Sequence, residues 1–264
     1  MTPMVQFLSK AASSNGWHYE SLRGGWMHRL HDADATHYII GYTFPHNSAV
    51  AARIAQDKVA TSLVLEISAV PSVPHALVNT KGVDVGTARR IRRAALAVAE
   101  LSANGVVVKP VTGSDGRDVV AVSTTRQGMR ALRRIHASHG GLAAISPYLP
   151  IEREIRVIVL DGHALLAFEK LRMDDWRHNL AFGAQPMALP LSDNPRLVAL
   201  ASAAIDALDL RLAAVDIVAL SSQELAVLEI NDGIKLDTFA QYSTEYWNIA
   251  ASVYDRIVST IRHH

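Results

Sequence analysis

The chain of 264 residues contains no cysteine. This absence excludes disulfide bonds, zinc–thiolate sites and catalytic thiols, and it is typical of a reducing compartment, so we expect a cytoplasmic protein. An excess of charge of one sign is lacking too, because 26 Lys and Arg residues nearly balance 25 Asp and Glu residues. Neither end carries a basic or acidic run, so electrostatics do not indicate a nucleic-acid partner.

Long hydrophobic runs are also missing. No stretch reaches the roughly 18 uninterrupted apolar residues expected of a membrane-spanning helix, and residues 1–16 do not have the pattern of a signal peptide. The sequence therefore predicts no membrane association. Its length is sufficient for one large domain or two modest ones with a substantial apolar core.

The order of apolar and turn residues predicts a mixed α+β chain. A first helix at 4–14 ends at Asn15-Gly16, and a β-hairpin turns at Gly24-Gly25. A strand at 37–44 precedes a helix that Asn47-Ser48 cap and that runs to about residue 58. Further helices are predicted at 59–70, 85–104, 125–138, 193–208 and 244–262, and further strands at 106–109, 119–122, 143–148, 154–169, 213–220 and 224–231. The strand at 154–169 is predicted to turn at Asp161-Gly162.

Two late strands carry a candidate metal site. The segments AAVDIVAL and ELAVLEIND are apolar strands joined by a polar turn, and they place Asp216, Glu229 and Asn231 on adjacent strands. Because residues two apart share one face of a strand, the three oxygen-bearing side chains can converge on a hard cation such as Mg²⁺. Taken alone, the pattern is more often that of strand-end side chains facing water.

An earlier segment, GVVVKPVTGSDGRDVVAV, predicts a hairpin with a polar, glycine-containing tip. Lys109 ends its first apolar run, where an ammonium group needs an anionic partner, and Gly113 and Gly116 allow the loop backbone to approach a phosphate. The phosphate-binding motif GxxxxGK[ST] and the dinucleotide motif GxGxxG are both absent. A nucleotide site of another type is therefore indicated.

Together, these motifs resemble those of ATP-grasp ligases. The segment VVVKPVTGSDGRDV is similar to their lysine and glycine-rich lid, and VDIV followed by VLEIND is similar to their metal-binding strands. The resemblance covers about residues 55–235 and includes Asp57-Lys58, the segment after Glu154 and the segment from Arg172 to Asn179. It is strongest to RimK-type amino-acid ligases.

This resemblance implies an ATP-grasp fold of class α+β, in which two α+β subdomains grip ATP. A shortened N-terminal α/β lobe would occupy residues 1–57. The smaller subdomain with the glycine-rich lid would occupy 58–145, and the C-terminal subdomain with the metal-binding strands would occupy 146–264.

The resemblance also implies roles for individual residues. The phosphates of ATP would meet Lys58 and Lys109, under a lid formed by Gly113, Ser114 and Gly116. The remaining nucleotide contacts would be Glu154 with the ribose and Tyr148 and Leu149 with adenine. The group near the transferred phosphate would be Arg156, Arg172 and Asn179, and the metal ligands would be Asp216, Glu229 and Asn231, holding Mg²⁺ with Mn²⁺ as a substitute.

The function implied is an ADP-forming C–N ligase that joins a small carboxylate and an amine, both amino-acid or peptide-like, through an acyl phosphate. A small-molecule kinase on the same fold and a non-catalytic nucleotide-binding protein are the alternatives. Lys235 follows the metal strand and could meet a substrate carboxylate. The aromatic residues of the first lobe fill its own core or, alternatively, form a homodimer contact.

Overall fold

The computed structural model describes residues 2–79, 105–113, 116–172, 180 and 183–261. Its first elements are a helix and a three-stranded antiparallel sheet of order β1-β2-β3, comprising α1 (Pro3–Ser14), β1 (His18–Leu22), β2 (Met27–His31) and β3 (Thr36–Ile40). The predicted helix and the hairpin at Gly24-Gly25 are confirmed. The predicted strand at 37–44 is too long, because Gly41 adopts a φ of 55° and turns the chain after Ile40.

Two short helices follow, α2 (Ala49–Gln56) and α3 (Lys58–Ile67). Ser48 caps α2 as predicted, since its side chain accepts a hydrogen bond from the backbone of Ala51. The chain is extended at Asp57, whose carboxylate caps α3 by accepting from the amides of Val59 and Ala60. A single residue therefore ends one helix and starts the next, which places Lys58 in the first turn of α3.

A four-stranded antiparallel sheet of order β4-β7-β5-β6 comes next. It consists of β4 (Ala76–Asn79), β5 (Val106–Pro110), β6 (Val120–Val122) and β7 (Leu142–Pro147), with α4 (Thr125–His139) packed against it. A capping box formed by Thr124 and Gln127 starts α4. The predicted hairpin of β5 and β6 is confirmed, whereas β4 was not predicted. The helix predicted at 85–104 lies outside the described residues.

A five-stranded antiparallel sheet of order β10-β9-β8-β11-β12 forms the larger half. Its strands are β8 (Ile151–Leu160), β9 (His163–Leu171), β10 (Gln185–Leu189), β11 (Leu212–Leu220) and β12 (Leu225–Asn231). The helices of this half are α5 (Pro195–Ala207), α6 (Asp237–Ala240) and α7 (Thr244–Ser259). The turn between β8 and β9 lies at Asp161-Gly162, as predicted, while β10 was not predicted.

Both faces of the larger sheet are buried. On one face, α2, α3 and α5 pack over residues such as Val157 and Val215. On the other face, the first lobe and α7 form one continuous core with the sheet, and Phe7, Phe168 and Tyr254 are at its centre. Burial on both sides explains the almost uninterrupted apolar run of β11.

The aromatic residues of this prediction differ in exposure, and Tyr42 is partly buried against the continuous core. Trp17 and Phe44 are buried, so for them the prediction of a core position is confirmed. Trp26 and Tyr38 are 61% and 53% exposed, so for them it is wrong. The homodimer and the three domain boundaries remain predictions. Among the helices that the structure describes, none has the length and apolar character needed to cross a membrane.

Candidate functional site

A cleft of about 960 Å³ lies beside both larger sheets. Residues from β5, β8 and β12 line it, together with the segment 146–151 and the segment 40–43 of the first lobe. Its volume is at the upper end of the range of small-molecule sites, roughly 300–1,000 Å³. The cleft therefore has room for a nucleotide and a second ligand.

Asp216 lies at the centre of a buried network of charges beneath this cleft. It is 1% exposed, and Arg156 on the neighbouring strand donates two hydrogen bonds to its carboxylate, at 2.8 Å and 2.7 Å. Lys170 lies 3.0 Å from the same carboxylate. Burial alone would raise the pKa of Asp216, but Arg156 and Lys170 hold this pKa well below its usual range. Asp216 is thus an anion held between two cations.

Glu154 extends the network along β8. It is two residues from Arg156, so both side chains share one face of the strand. Lys170 donates a hydrogen bond of 2.5 Å to its carboxylate, and burial raises the pKa of Glu154 although Lys170 opposes this. Lys170 was missed in the sequence, where the predicted strand ended at residue 169. The available signal was that Lys170 lies two residues after Phe168, so both side chains lie on the same face of the strand. A lysine buried on that face requires anionic partners.

Two lysines from different elements face the cleft. Lys109 on β5 is 6% exposed, and burial lowers its pKa to about 8, although Glu229 and Glu154 partly offset this effect. Lys58, in the first turn of α3, donates a 2.8 Å hydrogen bond to the carbonyl of Gly113 and lies 3.9 Å from the carboxylate of Glu229. The structure thus brings together both predicted phosphate-binding lysines, the first residue of the predicted lid and one predicted metal ligand.

The three predicted metal ligands lie on β11 and β12. Glu229 is directly opposite Asp216, and Asn231 is opposite Ala214, so Glu229 and Asn231 share the strand face that borders the cleft. The amide nitrogen of Asn231 is buried without a hydrogen-bond partner in the part of the chain described. Two carboxylates and an amide suit Mg²⁺. Glu229 and Asn231 fit such an ion, whereas Asp216 would have to share its oxygens with Arg156 and Lys170.

Five of the remaining predicted site residues also line the cleft. Gly113 has a φ of 134°, a conformation that favours glycine, and it borders the cleft together with Gly116. Tyr148 and Leu149 line the cleft in the segment after β7, and Arg172 is an exposed part of its lining. Ser114 and Asn179 lie outside the described residues.

The first lobe also contributes to the cleft, which the sequence did not indicate. The segment 40–43 borders it, and Thr43 forms a β-bridge with Gly233, just beyond β12. The amide of Ile234 donates a 2.9 Å hydrogen bond to the carbonyl of Tyr42. The ammonium of Lys235 lies 5.7 Å from the centre of the Tyr42 ring. This end of the cleft is therefore formed by two segments far apart in the sequence.

Comparison with solved structures identifies ATP-grasp ligases as structural relatives. The chain is similar to PsnB in complex with a minimal precursor, with 19% identity, a TM-score of 0.58 and coverage of 81% of this chain but only 64% of PsnB. It is similar to the D-cycloserine synthetase DcsG, with 23% identity, a TM-score of 0.56 and coverage of 78% and 71% of the two chains. The D-alanine–D-alanine ligase of Bacillus anthracis gives 16% identity, a TM-score of 0.60 and coverage of 82% and 69%.

These similarities confirm the expected α+β ATP-grasp fold. A comparison with curated proteins gives no match. The model of the RimK-like ATP-grasp domain matches residues 55–257, which is well over half of the chain. The chain therefore belongs to the family of RimK-like ATP-grasp domains.

Proposed function

We propose that the protein is an ATP-dependent carboxylate–amine ligase that forms an amide and releases ADP and phosphate. The observation that carries this proposal is the convergence of Lys58, Lys109, Glu229 and Asn231 on one cleft. Phosphoryl transfer from ATP requires cations that bind the phosphates and oxygen ligands that hold Mg²⁺. Solved structures similar to this chain include the ATP-grasp ligase PsnB, the D-cycloserine synthetase DcsG, a bifunctional glutathione synthetase from Pasteurella multocida and the D-alanine–D-alanine ligase of Bacillus anthracis.

The reaction needs no nucleophile from the protein. An oxygen of the substrate carboxylate forms a bond to the terminal phosphorus of ATP as the bond to the ADP oxygen breaks. The amine nitrogen then forms a bond to the acyl carbon, phosphate leaves, and the amine loses a proton. Lys58 and Lys109 would bind the phosphates, while Gly113, Ser114 and Gly116 would cover them and exclude water.

The other residues would position the nucleotide and the transferred group. Tyr148 and Leu149 would contact adenine, and Glu154 would bind the ribose. Arg156, Arg172 and Asn179 would lie near the transferred phosphate. Glu229, Asn231 and Asp216 would hold Mg²⁺, or Mn²⁺ in its place, which when bound neutralises phosphate charge. A cytoplasmic location remains the expectation for an enzyme that uses these substrates.

The first experiment supplies the protein with ATP, Mg²⁺, a pool of small carboxylic acids and hydroxylamine, which traps acyl phosphates as hydroxamates. We expect equal amounts of ADP, phosphate and hydroxamate. ADP with a stable phosphorylated product and no hydroxamate would instead show a kinase that acts on a hydroxyl group. Hydroxamate with hydroxylamine, but an acyl phosphate and no amide when amino acids replace hydroxylamine, would show a kinase that acts on a carboxylate. ATP that binds without being cleaved under any of these conditions would contradict catalysis and favour a nucleotide-binding protein.

The lowered pKa of Lys109 predicts that nucleotide binding depends on pH. This pKa is about 8, so the ammonium is mostly charged at pH 7 and mostly neutral at pH 9. We expect ATP affinity to fall about tenfold over this interval, because only the charged form attracts phosphate. Equilibrium titration with a fluorescent ATP analogue measures the effect.

The matched control is Lys109→Arg, since arginine stays charged throughout this range. In this variant the fall in affinity between pH 7 and 9 should largely disappear. An equally steep fall in the variant would mean that another group causes it.

A further inference from the structure

The loop between β5 and β6 is held at its first end by α3. The backbone amide of Lys58 donates a 3.1 Å hydrogen bond to the carbonyl of Val111, and the ammonium group of the same lysine donates to the carbonyl of Gly113. Both contacts come from one residue that faces the cleft. The first end of the loop is therefore fixed by a predicted phosphate ligand.

The second end of the loop is held by a separate group of charged side chains. Asp118 accepts a 2.8 Å hydrogen bond from Nε2 of His139, and its other carboxylate oxygen lies 2.6 Å from Nε of Arg134. Both partners belong to α4, and His139 is its last residue. The side chain of Asp118 is only 14% exposed, and the hydrogen bond from His139 lowers the pKa of Asp118. Asp118 is therefore an anion that joins the loop to α4.

This contact does not serve the helix. The dipole of a helix favours cations at its C-terminal end, so His139 is well placed there, whereas an approaching carboxylate is opposed. Asp118 is not part of α4 and provides no cap for it. What the contact fixes is the end of the loop.

The backbone of Asp118 shows the same constraint. Its φ of 56° lies in the left-handed region, which is unfavourable for residues other than glycine, although aspartate tolerates it better than most. Gly116 and Arg117 directly precede it, and both border the cleft. The side-chain contacts of Asp118 therefore set where these two residues lie, independently of Lys58 at the other end.

We infer that Asp118 is a positioning residue for the nucleotide and that, with His139 and Arg134, it anchors the second end of the loop so that Gly116 and Arg117 meet the phosphates. Asp118 acts through the loop backbone and does not itself bind the nucleotide. This role rests on the proposed function only for the nucleotide as the ligand of the cleft, and it is the same in a ligase and in a kinase.

The test measures the affinity of two variants for a non-hydrolysable ATP analogue with Mg²⁺. Asp118→Asn keeps the size of the side chain and removes its charge, whereas Asp118→Gly eases the backbone conformation and removes the side chain. We expect both variants to bind the analogue about tenfold more weakly, because ordering the released loop then opposes binding. If Asp118→Gly bound as tightly as the unmodified protein, the anchor would be disproved.

Hydrogen exchange distinguishes positioning from a general loss of stability. In the unmodified protein, we expect the analogue to protect the amides of 111–113 and of 116–118. In Asp118→Asn, the protection of 116–118 should be lost while that of 111–113 persists, because Lys58 still holds the first end. Equal loss at both ends, or unchanged affinity in both Asp118 variants, would overturn the inference.

The matched control is Asp209→Asn. Asp209 also has a left-handed backbone, with a φ of 54°, but it is exposed and does not line the cleft. This variant should change neither the affinity nor the protection of the loop. An equal effect in the control would mean that the loss does not come from the anchor.

A double variant shows whether Asp118 and His139 act as one unit. His139→Asn combined with Asp118→Asn should bind the analogue no more weakly than the weaker of the two single variants, because either change alone breaks the same contact. Losses that multiply would show that the two residues act separately and would contradict the anchor.

The hydroxylamine experiment separates this inference from the proposed function. If the unmodified protein forms hydroxamate while the Asp118 variants bind the analogue normally, the anchor is wrong and the ligase stands. If the variants bind more weakly as expected while no acid yields hydroxamate, the anchor stands and the ligase proposal fails.

Discussion

Replacing Glu229 with glutamine should lower the rate of ADP formation by roughly 100-fold or more, while ATP affinity changes by less than about tenfold. The substitution keeps the size of the side chain and removes the charge that faces Asp216 across the strands and Lys58 at 3.9 Å. A metal ligand matters most as charge moves during phosphoryl transfer, so turnover should suffer more than binding. Steady-state kinetics and nucleotide titration measure the two quantities separately.

The matched control is Glu152→Gln, since Glu152 is an exposed carboxylate on β8 that does not line the cleft. It should leave both quantities unchanged. If Glu229→Gln instead retains full turnover, Glu229 serves only as a partner of Lys58 and the proposed metal site is wrong.

Replacing Asp216 with asparagine should destabilise the protein by about 3 kcal/mol or more, because Arg156 and Lys170 would keep their buried charges and lose their shared anion. Arg156 donates two hydrogen bonds to Asp216, and Lys170 would retain only Glu154 as a counter-ion. The cost should appear at neutral pH, since Asp216 has its pKa held far below that range and is ionised there. Urea unfolding measures the change in free energy.

A double variant distinguishes charge from packing. Adding Arg156→Met to Asp216→Asn removes one of the stranded cations, so the double variant should be more stable than the sum of the two single losses predicts. Strict additivity would show that the two residues do not stabilise one another. The exposed control Asp34→Asn should change the free energy of unfolding by less than about 0.5 kcal/mol.

Local sequence signals predicted the elements whose geometry depends on residues that are close together in the sequence. The hairpin at Gly24-Gly25, the strand pair ending in Glu229 and Asn231, and the turn at Asp161-Gly162 each combine a turn signal with an apolar pattern. The short strands β4 and β10 were missed, because four or five residues with an edge position give little periodicity. Pairing with β7, far along the chain, defines β4, and pairing with the preceding strand β9 defines β10.

The residues of the candidate site likewise divide into those that a local sequence pattern identifies and those that only distant partners define. Lys109 and Glu229 could be found because each interrupts or ends an apolar run. Lys170 offered only its alternation with Phe168, because its counter-ion Glu154 lies 16 residues away. Asp232 offered no local signal, because its hydrogen-bond partner Gln56 lies 176 residues away. Sequence patterns therefore indicated which residues carry charge, but only the sheet register and the return of the first lobe to the cleft define their partners.

The continuous core between the first lobe and α7 limits how new specificities can be made in this protein. Phe7 packs against Trp247 and Tyr254, and Asn15 is hydrogen-bonded to Asp255. A lobe grafted from another ATP-grasp protein would bring its own contacts to the cleft but would leave the apolar face of α7 mismatched. Successful chimeras should therefore exchange α7 together with the first lobe, because these two segments lie far apart in the sequence and share one core.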